Sequence, residues 1–116
     1  MASNYGNKSA SEVIQGRVAV VPSRWTLLAV GTSNYPSREW VRLQTQGKIG
    51  NVVYLFYVNQ GETAPAVNVG VKGKTAFRGT ATWVEPVNDK VSIYGRMDNK
   101  AAATENSVSV IVTEFR

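Results

Sequence analysis

The chain has no cysteine and no histidine among its 116 residues. Without cysteine it can form neither a disulfide bond nor a thiolate metal site, so its stability must come from packing and from association. The same absences close the usual routes of acid–base and thiol catalysis, and no serine lies in the G-x-S-x-G motif of a nucleophile elbow. We therefore expect a protein that is not an enzyme and that carries no cofactor or metal ion.

Long apolar runs are also missing. No stretch approaches the roughly 20 consecutive apolar residues that span a membrane, so we expect no membrane partner. Residues 1–11 are small and polar and lack the apolar segment of a signal peptide. We expect them to form a flexible N-terminal arm, followed by a single domain over residues 12–116, and we expect the protein to be made in a cytoplasm.

Positive charge is in modest excess. Thirteen Lys and Arg residues stand against eight Asp and Glu, which gives a net charge of +5. An excess of this size is typical of simple solubility, but it also leaves open a polyanionic partner such as nucleic acid. The segment Lys72-Gly73-Lys74 lacks the G-x-x-x-x-G-K-[ST] spacing of a phosphate-binding loop, so we interpret it as a basic turn.

Short alternating or apolar runs, each ended by Gly, Pro, Asn or Asp, make up most of the chain. Alternation of apolar and polar residues is typical of a β-strand with one buried face, and no segment of helical period reaches a useful length. The pattern predicts an all-β fold: a single jelly-roll-like β-sandwich of about seven to nine short antiparallel strands, with a small barrel as the alternative. The predicted strands cover residues 13–21, 25–30, 39–45, 52–58, 66–71, 76–84, 91–97 and 108–115, and the first two are either separate strands or one bent strand with its break at Pro22.

Three of these segments carry more detailed predictions. Residues 46–51 (QGKIGN) have the composition of a hairpin connection. The run VVYLFYV at residues 52–58 is apolar on both faces, which is expected of a central strand buried on both sides. Residues 76–84 are predicted to form one continuous strand. Within these segments, Tyr54, Phe56, Phe77 and Trp83 are predicted to lie in the core.

Other aromatic residues are placed to face outward beside arginine. Trp40 and Arg42 alternate with apolar residues of the same strand, and Tyr94 and Arg96 show the same arrangement. Outward pairs of this kind are enriched in protein–protein interfaces, can stack on bases or sugars, and in other proteins only cover the surface. The candidate protein-interface residues are Arg24, Trp25, Tyr35, Arg38, Trp40, Arg42, Tyr94 and Arg96.

Three segments resemble a pattern in small β-sandwich structural proteins of tailed bacteriophage virions. Residues 38–47 (REWVRLQTQG) begin with Arg and read apolar-x-apolar-Gln before a Gly-containing turn; residues 53–56 read VYLF, and residues 110–115 end the chain as VIVTEF. The resemblance covers about half of the chain. The sequence departs from the pattern at residues 59–65 and at residues 76–97, which adds more strand than the simplest members have.

The resemblance implies a capsid decoration (cement) or head-fibre protein. Such a virion component would bind the major capsid protein or other virion proteins, and it would need no chemistry of its own. The N-terminal arm would become ordered along a neighbouring subunit, and neighbours in a closed homo-oligomer would cover exposed sheet edges. A homotrimer is the oligomer that we expect.

Two alternatives stay open at this point. One is a single-stranded nucleic-acid-binding β-barrel of the OB type, which shares the basic charge and the outward aromatic residues. The other is a carbohydrate-binding module that uses Trp40, Tyr94 or Tyr35 as a platform for a sugar.

Overall fold

The structure is a computed structural model that describes residues 13–30, 38–46, 52–71, 74–78, 82–97 and 107–115. The described residues contain eight β-strands and no helix, and therefore no helix that could cross a membrane. The strands are β1 (Val13–Val20), β2 (Thr26–Ala29), β3 (Trp40–Thr45), β4 (Val52–Asn59), β5 (Thr75–Arg78), β6 (Thr82–Glu85), β7 (Val91–Met97) and β8 (Val108–Phe115). The predicted arm, residues 1–11, and Tyr35 lie outside the described residues.

The eight strands form two four-stranded antiparallel sheets. The first sheet has the order β1-β8-β3-β6 and the second has the order β2-β7-β4-β5. Strands that follow one another in the chain change sheet each time, except β4 and β5, which pair with each other. Two four-stranded sheets joined in this order make a jelly roll. The all-β, jelly-roll-like sandwich predicted from the sequence is confirmed.

The core lies between the two sheets, and period-two alternation selects its members. On β3, Val41 and Leu43 are fully buried, whereas Trp40, Arg42 and Gln44 are half-buried on the outer face. The inward residues of the other strands obey the same rule. The buried apolar core is Val20, Leu28, Ala29, Val41, Leu43, Val53, Leu55, Val87, Ile93, Met97, Val108, Val110 and Val112.

One glycine allows close packing in this core. Gly95 lies in β7, on the face that points between the sheets, and it pairs with Leu55 of β4. A Cβ atom at this position would lie 2.9 Å from Cδ1 of Leu28. The missing side chain therefore leaves room for Leu28 to pack across the strand.

The predicted hairpin at residues 46–51 is wrong. The strands on either side, β3 and β4, belong to different sheets: β3 pairs with β6 and β8, and β4 pairs with β5 and β7. Two apolar strands around a glycine-containing turn look the same in sequence whether they pair with each other or pack face to face. The connection therefore crosses from one sheet to the other.

The predicted strand over residues 76–84 is also wrong, because two strands occupy this segment. β5 lies at the edge of the second sheet and β6 at the edge of the first, with residues 79–81 outside the described part. The alternation of apolar residues continues through the change of sheet, since both strands have one face toward the same core. Periodicity alone cannot detect such a change.

Residues 66–71 were predicted to be a strand but form irregular structure with a turn. Val67 is 65% exposed, and the carbonyl groups of Val67 and Val69 accept side-chain hydrogen bonds instead of strand hydrogen bonds. The segment lies against the second sheet without extending it.

Strand β4 was predicted to be central and buried on both faces. It is an internal strand, between β7 and β5, but of its outward residues only Val58 is buried. Tyr54 and Phe56, predicted to lie in the core, are half-buried on the outer face of the second sheet. The reason is that no further sheet covers this face: among the described residues only Trp25 and the irregular segment 66–71 lie against it, so Tyr54 and Phe56 stay in partial contact with solvent.

Candidate functional site

Arg38 is buried inside the sandwich and binds four different parts of the chain. Its Nη1 atom donates to Oε1 of Glu114 at 2.7 Å and to the carbonyl of Val30 at 3.0 Å. Its Nη2 atom donates to the carbonyls of Asn88 at 2.6 Å and Val91 at 2.5 Å. Because Arg38 is only 2% exposed, it is not available at the surface of the single chain. Its contacts join the residue after β2, the loop before β7, the start of β7, and β8.

This ion pair connects two of the segments on which the phage-protein resemblance depends. Arg38 begins the first of them, and Glu114 lies in the closing one, on β8. The two segments pair along their length, from Trp40 with Phe115 to Thr45 with Val110. The sequence signal that could have revealed the role of Glu114 is its inward position in an alternating strand, where a carboxylate requires a partner.

Trp25 and Arg96 hold residues 66–71 against the outer face of the second sheet. Trp25 is 7% exposed, and its Nε1 atom donates to the carbonyl of Val69 at 2.8 Å. Arg96 donates from Nη1 to the carbonyls of Val67 at 2.8 Å and Val69 at 3.0 Å, and from Nε to the carbonyl of Pro22 at 2.9 Å. The neighbouring Arg24 is exposed. Trp25 is thus a buried anchor in the single chain, and Arg96 is both an anchor and a partly accessible cation.

The outer face of the first sheet carries what we call the aromatic–arginine surface: Trp40, Arg42 and Phe115. Trp40 and Phe115 occupy paired positions on β3 and β8, and their rings stack in parallel, with centroids 3.9 Å apart and an interplanar angle of 10°. The guanidinium carbon of Arg42 lies 5.5 Å from the centroid of Phe115. Tryptophan, phenylalanine and arginine are thus held together in one rigid group.

The surroundings of this surface are uncharged or basic. Gln44, Thr113 and Gln15 lie beside it on the same face, and the side-chain amide of Gln15 donates to Oγ1 of Thr113 at 3.1 Å. Arg17 of β1 adds a second, exposed cation. No Asp or Glu faces outward from the described strands of this sheet, since Glu85 and Glu114 lie at inward positions. The face therefore suits a partner that presents carboxylates.

The outer face of the second sheet has a different arrangement of similar residues. Tyr54 and Phe56 of β4 lie beside Arg96 and Tyr94 of β7 in register. Trp25 contacts the ring of Phe56 edge to face, with centroids 5.5 Å apart at 65°, and Nζ of Lys74 lies 4.2 Å above the same ring. Leu27, paired with Tyr94, continues the row to the edge of the sheet and is 41% exposed. A shallow cavity of about 230 Å³ opens beside Lys74 and Phe56.

A third group of polar residues joins the two sheets. Oε2 of Glu85, on β6, accepts hydrogen bonds from the hydroxyl of Tyr57 at 2.6 Å and from Nε1 of Trp83 at 2.8 Å. Tyr57 lies on β4, in the opposite sheet. Burial, together with the hydrogen bond to the Glu85 carboxylate, raises the pKa of Tyr57 well above its ordinary value. Tyr57 is therefore a neutral hydrogen-bond donor at physiological pH, and the group acts as a clamp between the sheets.

The eight candidate interface residues thus fall into different places. Trp40 and Arg42 lie together on the first outer face, whereas Tyr94 and Arg96 lie together on the second. Trp25 is buried beneath this second group, where it contacts Phe56 and shares the carbonyl of Val69 with Arg96. The other three join neither group: Arg38 is buried, Arg24 is exposed near the start of β2, and Tyr35 lies outside the described residues. Sequence reasoning assigned Tyr54 and Phe56 to the core, and it did not single out Phe115 or Lys74 as members of either surface. An interface role for the eight candidates stays a prediction.

No protein-family model matches the chain, and no curated protein matches it. Among solved structures, the chain is similar to a de novo designed double-stranded β-helix, with 14% identity and a TM-score of 0.46 over 87% of this chain and 97% of that one. It is also similar to RmlC from Streptococcus suis in complex with dTDP-D-xylose, with 10% identity and a TM-score of 0.48 over 92% of this chain and 45% of that one, which is less than half of its length.

A viral protein is among these structural neighbours. The coat protein of Tobacco streak virus, solved as a dimer, matches with 11% identity and a TM-score of 0.36 over 88% of this chain and 85% of that one. All of these TM-scores lie below 0.5, so the fold assignment rests on the strand order and not on the likeness.

Proposed function

We propose that this chain is a non-enzymatic structural component of a bacteriophage particle. It decorates or cements the capsid shell, and it binds the major capsid protein or another virion protein through the aromatic–arginine surface and the N-terminal arm. In this proposal the protein is a homo-oligomer, with a homotrimer as the expected form, and its place of action is the virion.

The observation that carries the proposal is the aromatic–arginine surface. Trp and Arg are the residue types most enriched at energetically dominant interface positions. The stack of Trp40 on Phe115 fixes both rings before a partner binds, so little conformational entropy is lost on association. Arg42, beside the stack, presents a planar guanidinium that suits the carboxylates of an acidic shell surface.

Two further features support a structural role. Jelly rolls occur in viral capsid domains, although they also occur in lectins and cupins, so the fold supports the proposal by analogy alone. The absence of histidine and cysteine leaves the chain without the usual catalytic side chains. A binding role needs neither.

Co-sedimentation with purified heads of the encoding phage tests the proposal. Trp40→Leu combined with Arg42→Gln removes the stacked indole and the positive charge while keeping an apolar side chain at position 40, and a second variant lacks residues 1–11. Each is expected to weaken binding to the heads at least tenfold, because truncation of a central interface residue costs about 2 kcal/mol or more. The matched control is Leu27→Ser, an exposed apolar residue on the opposite face, which should bind like the unaltered chain.

Equal sedimentation of all four proteins with the heads would show that neither the surface nor the arm binds the shell. The solution mass by light scattering, at low and high salt, separately tests the expected homotrimer. A monomer at both salt concentrations would contradict it.

A further inference from the structure

Two tyrosines on the outer face of the second sheet have rings without partners in the described structure. The other six described aromatic side chains each have a hydrogen bond or a ring or cation contact, including Trp25, Phe56 and Tyr57. Tyr54 and Tyr94 form no side-chain hydrogen bond, ring contact or cation contact with any described residue. Both residues are half-buried, so part of each side chain is accessible to solvent. Hydrogen bonds and ring contacts within the described fold therefore do not account for aromatic rings at these two positions.

The two rings lie side by side on the central strands of the sheet. Tyr54 pairs with Arg96, and Tyr94 pairs with Phe56, so Tyr54 and Tyr94 are diagonal neighbours on β4 and β7. Diagonal neighbours across an antiparallel pair are about 7–8 Å apart. Two flat groups that follow one another along an extended chain can therefore stack on the two rings at the same time.

Two cations flank these rings. Lys74 lies over Phe56, and Arg96 is fixed by three backbone carbonyls, which orient its guanidinium without neutralising it. Neither Lys74 nor Arg96 forms an ion pair with a described carboxylate, unlike Arg38, which is paired with Glu114. The outward side chains described on β2, β4 and β7 likewise include no Asp or Glu. The face combines flat rings with uncompensated positive charge.

From this combination we propose that the outer face of the second sheet binds single-stranded nucleic acid. Successive bases stack on Tyr94 and Tyr54, and the backbone phosphates lie near Lys74 and Arg96. Aromatic residues on the central strands of an antiparallel sheet, with basic residues beside them, are the elements by which proteins bind single strands. A duplex is excluded by the same chemistry, because its bases are already stacked on each other.

Nucleic acid fits this face better than an acidic protein does. An acidic peptide would pair with Lys74 and Arg96 but would leave the two unpartnered rings without a flat group to stack on. The net charge of +5 favours a polyanion for the chain as a whole. The site lies on the opposite face of the sandwich from the aromatic–arginine surface. Binding to the capsid shell and binding to nucleic acid can therefore be tested independently.

Fluorescence anisotropy with a labelled oligodeoxythymidylate of about 12 nucleotides tests the proposal, since single-strand sites span roughly 4–16 nucleotides. We expect saturable binding to the full chain, and no comparable binding of a duplex of the same length. With two phosphates neutralised, raising the salt concentration fourfold should weaken binding about sevenfold. Tyr54→Leu and Tyr94→Leu should each weaken binding about 5- to 150-fold, because they remove a stacking ring while keeping an apolar side chain.

The matched control is Val84→Ser, an exposed apolar residue on the first sheet, which should leave binding of the oligonucleotide unchanged. Circular dichroism of each variant verifies that the fold is intact. Oligonucleotide binding that survives both tyrosine substitutions would overturn the proposal, as would the absence of binding at low salt. A tyrosine-dependent interaction with an acidic polysaccharide such as hyaluronate, without binding of the oligonucleotide, would also overturn it and would assign the face to acidic glycans.

Discussion

The two outer faces of the sandwich carry the same kinds of residues, but only the second has two tyrosine rings without a contact in the described structure. On the first sheet, Trp40 and Phe115 stack on each other and the guanidinium of Arg42 lies over Phe115, so the aromatic surface is already engaged within the chain. On the second sheet, Tyr54 and Tyr94 have no such contacts with described residues. An alternating strand with outward aromatic and arginine residues therefore does not define one kind of site. The residue at the paired position of the adjacent strand determines whether a ring is held in a rigid group within the chain or stays available to a binding partner.

Both faces depend on the buried ion pair of Arg38 with Glu114, and breaking this pair is expected to cause the largest loss of stability. Glu114→Ala removes the carboxylate that compensates Arg38, and leaving a buried guanidinium without its partner costs about 3–5 kcal/mol. Arg38 contacts strands of both sheets, so this variant should weaken the binding of heads and of the oligonucleotide together. Urea unfolding measures the loss. Glu39→Ala, which alters an exposed carboxylate beside Arg38, is the control and should change the free energy of unfolding by less than about 0.5 kcal/mol. If Glu114→Ala changed the free energy of unfolding only slightly, the two faces would not depend on the Arg38–Glu114 ion pair.

Removing the Tyr57–Glu85 hydrogen bond is expected to cause the second largest loss of stability, because this bond joins the sheets that carry the two faces. Tyr57→Phe should lower the free energy of unfolding by about 1.5 kcal/mol at neutral pH, at the low end for a hydrogen bond to a charged group. The pKa of Tyr57 is raised in the folded protein, so its contribution is fully present below the ordinary tyrosine pKa of about 10 and is lost as the pH rises above that value. Urea unfolding of both proteins from pH 7 to pH 11 measures the difference. A difference that grows with pH would contradict this interpretation.

The smallest expected stability changes are those at the aromatic residues themselves, and they test the difference between the two outer faces most directly. Trp40→Leu should lower the free energy of unfolding by about 1 kcal/mol through the lost ring stacking, and a double-mutant cycle with Phe115→Leu should recover a coupling of that size. Tyr94→Leu should change stability by less than about 0.5 kcal/mol, because its ring has no partner among the described residues. Equal losses at Trp40 and Tyr94 would erase the distinction between the two faces.

Local patterns predicted much of the fold correctly. The alternation in residues 39–45 placed Val41 and Leu43 inward and Trp40 outward, as the structure has them. The same reasoning failed at residues 46–51 and 76–84, where the chain changes sheet. A side chain's direction depends on its position within one strand, but the choice of pairing partner depends on residues far away in the sequence. The partner of β3 is β8, at the other end of the domain.

The candidate surfaces show the same limit. The sequence placed Trp40 with Arg42 and Tyr94 with Arg96, because each pair lies within one strand. It did not reveal that Phe115 covers Trp40, since these residues are brought together only by the pairing of β3 with β8. It also assigned Tyr54 and Phe56 to the core, because an apolar residue on an uncovered outer face looks the same in sequence as one beneath a second layer.

Composition and alternation by themselves determined that this protein is all-β, lacks histidine and cysteine chemistry, and has inward residues that form a single core. These properties are fixed by residue type and by the twofold period of a strand, without reference to which strands pair. Tertiary structure alone decided the order of the strands, the burial of Arg38 against Glu114, and which aromatic rings meet each other. Each of these depends on contacts between residues distant in sequence, and on whether another layer lies over a given face.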